Sequence, residues 1–273
     1  MPKIAFITGA SAGIGAATAS ILAQNGYNLL LAARRLDRLE TLATELQAQY
    51  GVRVHTFALD VRNRVEVSAQ LNALPAEWQN IDVLVNNAGL SQGLDAFHEA
   101  NLDDWDTMLD TNVKGLLYVS RLVSEWMVAR KTGHIINIGS IAGKETYANG
   151  NVYCATKHAV DSLNKAMRID LLPHGIRVTG IHPGAVETEF SAVRFKGDIE
   201  RAKKAINERN LRALGLVAEE NCKQMHEVMR ASNPSINYIT NKTIDCINAI
   251  ESIRNSGFNL FHTVDAGPQV KII

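Results

Sequence analysis

Six short aliphatic runs punctuate the chain before residue 190: Lys3–Thr8, Asn28–Ala33, Val54–Leu59, Ile81–Val85, His134–Ile138 and Ile176–Ile181. Each is nearly continuous in apolar residues rather than alternating, as expected of a strand covered on both faces. Segments of helical period lie between them, among them Ile14–Asn25, Arg38–Gln49, Val113–Ala129 and Val152–Leu172. Strand and helix repeated in this way leave one main solution, an α/β fold with a doubly wound parallel sheet and helices on both faces. Ligands of such sheets gather at the carboxyl ends of the strands. Those ends are therefore the place to look for chemistry.

Composition narrows the function classes. Among 273 residues, 28 Lys and Arg balance 28 Asp and Glu. A chain without net charge gives no reason to expect nucleic acid or an anionic membrane surface as partner. Cys154, Cys222 and Cys246 are an odd number with no C-x-x-C spacing, which argues against a disulfide framework or a metal site. No apolar run reaches the ~18 residues of a membrane span, and a turn signal at Thr8-Gly9 precedes any signal-peptide core. A soluble cytoplasmic protein acting on a small molecule is expected.

The first strand runs into Thr8-Gly9-Ala10-Ser11-Ala12-Gly13-Ile14-Gly15 at the start of a helix. Glycines let the backbone approach a pyrophosphate, and the helix N-terminus offers free N–H groups, so this turn suits a dinucleotide. The second strand ends in Arg34-Arg35, where an NAD site has a carboxylate for the ribose hydroxyls. Two guanidiniums fit the 2′-phosphate of NADP better than the bland alternative, that both are solvated residues before the next helix. Asp60 could accept from an adenine amine, and Asn86-Asn87-Ala88-Gly89 would let the chain pass close to a ribose. Asp and Asn are also ordinary turn residues.

These motifs resemble the short-chain dehydrogenase/reductase family. The resemblance is carried by the glycine turn, Asn86-Asn87-Ala88-Gly89, Asn112, Ser140, Tyr153-Cys154-Ala155-Thr156-Lys157 and Pro183-Gly184-Ala185-Val186-Glu187-Thr188, in the family's order. It implies a Rossmann fold in which Gly9, Ser11, Gly13, Ile14, Gly15, Arg34, Arg35, Asp60, Asn87, Pro183, Val186 and Thr188 bind the cofactor. Ser140 would hold the carbonyl oxygen, Tyr153 would exchange the proton, and Lys157 would lower the tyrosine pKa and hold the ribose. Asn112 would support Lys157 through a water. The chemistry is consistent with the spacing, since Tyr153 and Lys157 stand one helical turn apart, and a cation favours the phenolate of a group whose ordinary pKa is near ~10. Cys154 reads as a packed thiol, and His134 and His182 as structural or solvent-facing.

Within that family, Leu74-Pro75-Ala76-Glu77-Trp78, Asp104-Trp105-Asp106-Thr107-Met108, Gly133–Gly139 and Thr188–Asp198 are most similar to NADP-dependent dehydrogenases of serine and 3-hydroxypropionate. A small 3-hydroxy acid and its 3-oxo acid or semialdehyde are the implied reactants. Arg194, six residues after Thr188, could grip the carboxylate, or could be a solvated arginine beside Lys196. A homodimer or homotetramer is the family's default. The alternatives are a reductase of other small ketones or aldehydes, and a cofactor-binding chimera with little turnover.

Two parts are expected, residues 1–204 and an atypical segment 205–273. In the second, Leu214-Gly215, Ala218-Glu219-Glu220-Asn221, Met225-His226, Pro234–Tyr238 and Thr263-Val264-Asp265-Ala266-Gly267-Pro268 resemble the C-terminal part of mevalonate diphosphate decarboxylases, whose active-site aspartate would correspond to Asp265. The ATP-binding lobe of that family has no counterpart here. Helices are expected over Glu200–Val228 and Lys242–Arg254, and a strand over Phe258–Val264. That strand either closes the edge of the sheet or belongs to a fused fragment.

Overall fold

The computed structural model describes residues 2–184, Arg194, Lys196, Ile247, Asn248, 262–264 and 270–272. The first compact unit spans Met1–Ala202. Its strands are β1 (Ile4–Thr8), β2 (Asn28–Ala33), β3 (Val54–Ala58), β4 (Val83–Asn86), β5 (Gly133–Ile138) and β6 (Ile176–Ile181). They pair in parallel in the order β3-β2-β1-β4-β5-β6. Every residue of β1 and β2 is buried, which is why those runs carry no polar alternation. Successive side chains enter opposite cores. Phe6, Leu30 and Leu84 pack with Val119, Val123 and Met127 on one face, while Ile7, Leu29 and Leu31 pack with Ala19, Ala23 and Leu39 on the other.

The helices are α1 (Gly13–Gln24), α2 (Leu36–Tyr50), α3 (Arg64–Asn72), α4 (Leu102–Leu109), α5 (Leu116–Arg130) and α6 (Asn151–Leu171). Two of these correct the sequence reading. α3 has no clean apolar stripe; it starts because the Asn63 side chain accepts from the N–H groups of Val65 and Glu66, at 3.1 and 3.2 Å. The helix expected from Val113 begins a full α-helix earlier, and a π-helical turn over Asp110–Gly115 joins α4 to α5. Such turns occur frequently at functional sites, and this one carries Asn112.

Crossovers from β1 run towards β3 in one direction and towards β6 in the other, so the sheet reverses between β1 and β4. That reversal opens a crevice at the carboxyl ends of these two strands. In the second compact unit, Lys203–Ile273, β7 (His262–Val264) pairs antiparallel with β8 (Val270–Ile272) in a two-stranded sheet. Of the strand expected over Phe258–Val264, the described residues His262–Val264 pair with β8. The expected helices over Glu200–Val228 and Lys242–Arg254 lie outside the described residues, save a helical Ile247-Asn248.

Candidate active site

At the sheet reversal the glycine turn and the β4 loop interlock. Gly9 and Gly13 have φ of +65° and +55°, a region that L side chains rarely adopt. A Cβ on Gly9 would stand 2.9 Å from the Ala88 Cα, and one on Gly15 would stand 2.5 Å from the Asn87 amide nitrogen. The Thr8 hydroxyl accepts from the N–H groups of Asn87 and Ala88, each at 3.1 Å. The Asn87 amide donates back to the carbonyls of Thr8 and Gly9 at 2.9 and 3.0 Å. No side chain caps α1 at Ala12, which leaves its first N–H groups for a ligand.

Ser11, Gly13, Ile14, Arg34, Arg35, Asp60 and Asn87 all line the cleft that follows. Arg35 donates to the Ser11 hydroxyl from Nε and Nη2, at 3.4 and 3.2 Å. Both oxygens of Asp60 are engaged by the guanidinium of Arg62, at 2.5 to 3.0 Å. The hydrogen bond from Arg62 outweighs burial and holds the Asp60 carboxyl below its ordinary range.

Further along the strand ends, Ser140 follows β5 and caps a short turn, Ile141–Gly143, its hydroxyl accepting from the Ala142 N–H at 3.1 Å. Tyr153 and Lys157 face it from the first turns of α6, with only 8% and 7% of their surface exposed. Burial raises the Tyr153 phenol above its ordinary value, and the hydrogen bond with Ser140 and the nearby Arg194 work against that rise. Burial lowers Lys157 from 10.5 to about 8. Its ammonium lies 6.0 Å from the centre of the Tyr153 ring and donates to the Ile138 carbonyl at 3.1 Å. Asn112 sits beside it, the two side chains facing the same Gly89 Cα. The Asn112 amide accepts from Leu90 N–H and donates to Leu90 carbonyl and the Thr156 hydroxyl, its oxygen keeping a second acceptor site.

The short chain dehydrogenase family model matches residues 3–198. The NADP-dependent 3-hydroxy acid dehydrogenase YdfG of Salmonella typhi is 51% identical over 202 residues, 74% of this chain and 80% of that protein. The chain belongs to the short chain dehydrogenase family. A second relative, the NADP-dependent 3-hydroxy acid dehydrogenase of Schizosaccharomyces pombe, is 44% identical over 73% of this chain and 78% of its own length. A solved structure, the closed form of serine dehydrogenase complexed with NADP+, matches with a TM-score of 0.70 at 48% identity, covering 75% of this chain and 82% of that one. Residues 189–273 match the model of the mevalonate 5-diphosphate decarboxylase C-terminal domain, in line with the resemblance in the tail.

In this short chain dehydrogenase the expected residues fall into two groups along one edge of the sheet. Gly9, Ser11, Gly13, Ile14, Gly15, Arg34, Arg35, Asp60 and Asn87 meet at the β1–β4 reversal; Ser140, Tyr153, Lys157 and Asn112 meet beyond it. Pro183 joins the second group through its carbonyl, which accepts from Ile141 N–H at 3.1 Å. Val186, Thr188 and Asp265 lie outside the described residues. Arg194 is not a solvated loop residue. It is 2% exposed, donates to the Tyr147 hydroxyl at 2.8 Å and the Gly93 carbonyl at 3.2 Å, and lies 5.5 Å over the Tyr153 ring.

Sequence reasoning missed Arg62, because an arginine two residues after Asp60 reads as a solvated turn. Tyr147 escaped for want of any motif. It also missed a buried amide chain in which Asn86 donates to Ser120 and Asn137, each at 2.8 Å, and Asn137 donates to Asn164 at 3.0 Å. Asn137 inside an aliphatic run was its one signal. Among the described residues no cluster of three metal-ligating side chains occurs, and no helix is long and apolar enough to cross a membrane.

Proposed function

We propose that this enzyme interconverts a small 3-hydroxy acid and the corresponding 3-oxo acid or semialdehyde, using NADP. The observation that carries the substrate class is Arg194. A guanidinium 98% withdrawn from solvent, with its Nη1 unpartnered among the described residues, is costly unless an anion completes it. It lines a small pocket with Tyr153, Gln92, Asn151 and the carboxylates of Asp95 and Asp104, the latter paired with Lys196 at 2.8 Å, so a substrate carboxylate held by Arg194 would lie beside the reacting end of the substrate.

Residues at the cofactor cleft fit NADP: the glycine turn leaves room for a pyrophosphate, and arginines rather than a carboxylate follow β2. Arg34 and Arg35 would hold the 2′-phosphate, Asp60 and Asn87 the adenosine side, and Pro183, Val186 and Thr188 the nicotinamide side. Bound NADP supplies the hydride acceptor and, in its oxidised form, a positive charge. Tyr153 takes the hydroxyl proton of the substrate, and Ser140 holds the same oxygen. Lys157 offsets the burial that keeps the phenol protonated. Asn112, held by Leu90 and Thr156, would support Lys157 through a water.

A homodimer or homotetramer is part of the same proposal, with exposed Leu102, Leu109, Leu117 and Ile169 as the apolar residues such an assembly would cover, measurable by light scattering. The chemistry is tested by assaying serine, 3-hydroxypropionate, 3-hydroxyisobutyrate and propanol with NADP and with NAD. The expected result is turnover of the hydroxy acids with NADP. Preference for propanol or for uncharged ketones would replace this reading with that of a general carbonyl reductase.

A further inference from the structure

Tyr153, Lys157 and Asp161 stand at successive turns of α6, all three on its buried face. The first two have roles in the chemistry; Asp161 has none so far. Three basic side chains meet its carboxylate. Lys144 Nζ lies 2.7 Å from Oδ1, Lys165 Nζ 2.8 Å from Oδ2, and His182 Nε2 3.4 Å from Oδ1. Lys165 is one turn along the same helix and 64% exposed, an arrangement worth little. The other two come from the structures that seat Ser140. Lys144 ends the turn that Ser140 begins. His182 follows β6 and brings Nδ1 to 3.4 Å from the Ser140 carbonyl oxygen. Its ring leaves no space at Gly139, where a Cβ would come within 2.5 Å of Nδ1.

We infer that Asp161 is a positioning residue for the reaction: by holding Lys144 and His182 it fastens the serine-bearing turn to the helix that carries Tyr153 and Lys157. The backbone already ties that turn to β6, through Gly139 N–H to Ile181 carbonyl at 2.7 Å and Ile141 N–H to Pro183 carbonyl at 3.1 Å. Neither bond reaches α6. α6 meets the turn where Gly143 packs against the Lys157 backbone and where Lys157 donates to the Ile138 carbonyl at 3.1 Å; the clamp through Asp161 adds a side-chain tie between the same parts and so helps set how closely the two reacting hydroxyls face each other. Burial would raise the Asp161 carboxyl, but the hydrogen bonds from Lys144 and Lys165 reverse this and bring it to about 2, so the Lys144 arm of the clamp stays charged at neutral pH; burial and Lys144 lower His182 below its ordinary value, so its arm is a contact of the neutral ring. Misplacing a reacting group by ~1 Å can cost on the order of a hundredfold in rate.

The inference rests on the proposed role of Ser140, and the test separates the two. Asp161→Asn and Ser140→Ala are made singly and together, with kcat, KM and NADP affinity measured for each. Asp161→Asn should lower kcat about tenfold while KM and NADP affinity move less than about twofold, and Asp161→Glu should recover part of the loss. In the Ser140→Ala background the Asp161→Asn change should cost nothing more, because a clamp cannot act through a hydroxyl that is gone. Losses that multiply, or an Asp161→Asn enzyme with full kcat, would overturn the inference. If Ser140→Ala alone leaves kcat intact, the role of Ser140 fails and the inference falls with it. Should Asp161→Asn not fold, Lys144→Met in the same cycle removes the half-exposed end of the clamp, with the same expected pattern and the same overturning result.

Discussion

At Tyr153 burial and charge oppose each other. A phenol enclosed by protein resists ionisation, while Ser140 and the Arg194 guanidinium favour it. Replacing Tyr153 with Phe keeps the ring and its packing but removes the hydroxyl proposed to carry the proton. Turnover should then fall by the ~10²–10⁴ typical of a general acid–base residue, with NADP affinity unchanged; calorimetric titration beside steady-state kinetics checks both. Lys157 bears the opposite cost. Its charge is buried, and its pKa is about 8 instead of 10.5, so the folded protein releases this proton before the unfolded chain does. Stability contributed by this group therefore rises with pH between those values, and the penalty is complete below pH 8. The melting temperature of Lys157→Met relative to the native enzyme, without cofactor, should be highest near pH 7 and decline as the pH passes about 8 towards 10. A difference that is flat in pH would mean that Lys157 is not penalised by burial. Ser140, Tyr153 and Lys157 were legible because their order and spacing form a motif. Asp161, Arg62 and Tyr147 were not, since what they do depends on partners brought near only by folding.

Among the elements, strands were easier to read than helices. A parallel strand covered on both faces must be apolar throughout, so β2 was found to the residue; β6, at the edge of the sheet, was found with the same bounds although it alternates buried and exposed residues. α3 was invisible because an asparagine cap starts it and its composition is mixed. The π turn in front of α5 leaves no mark in a pattern of apolar spacing. The glycine turn makes its own prediction. Gly15→Ala would drive a methyl group into the Asn87 amide and the Gly9 carbonyl, each 2.5 Å from the added carbon. NADP affinity should drop by at least about tenfold, because the bonds from Asn87 that hold the turn must break. On the β2 side, Arg34→Ala should weaken NADP binding by about ten- to a hundredfold and leave NAD nearly untouched, as expected for a charge-assisted bond to the 2′-phosphate. Equal losses for both dinucleotides would remove Arg34 from the phosphate site.

On the scale of the whole molecule, the sequence reading left the tail between a closing strand and a fused fragment. The described part of that strand, His262–Val264, pairs with β8. A chain ended after Ala202 should therefore retain its circular dichroism per residue and its NADP affinity, because all six parallel strands precede the cut. Aggregation of that product would show that the tail covers a surface or a sheet edge of the first unit. The claim on which the account depends, hydride transfer from a 3-hydroxy acid to NADP, is tested most directly by isotope. The enzyme is given NADP and 3-hydroxypropionate deuterated at C3, and the reduced cofactor is weighed by mass spectrometry. One deuterium per NADPH is the predicted result; NADPH that forms without deuterium, or no NADPH from any 3-hydroxy acid, would contradict it.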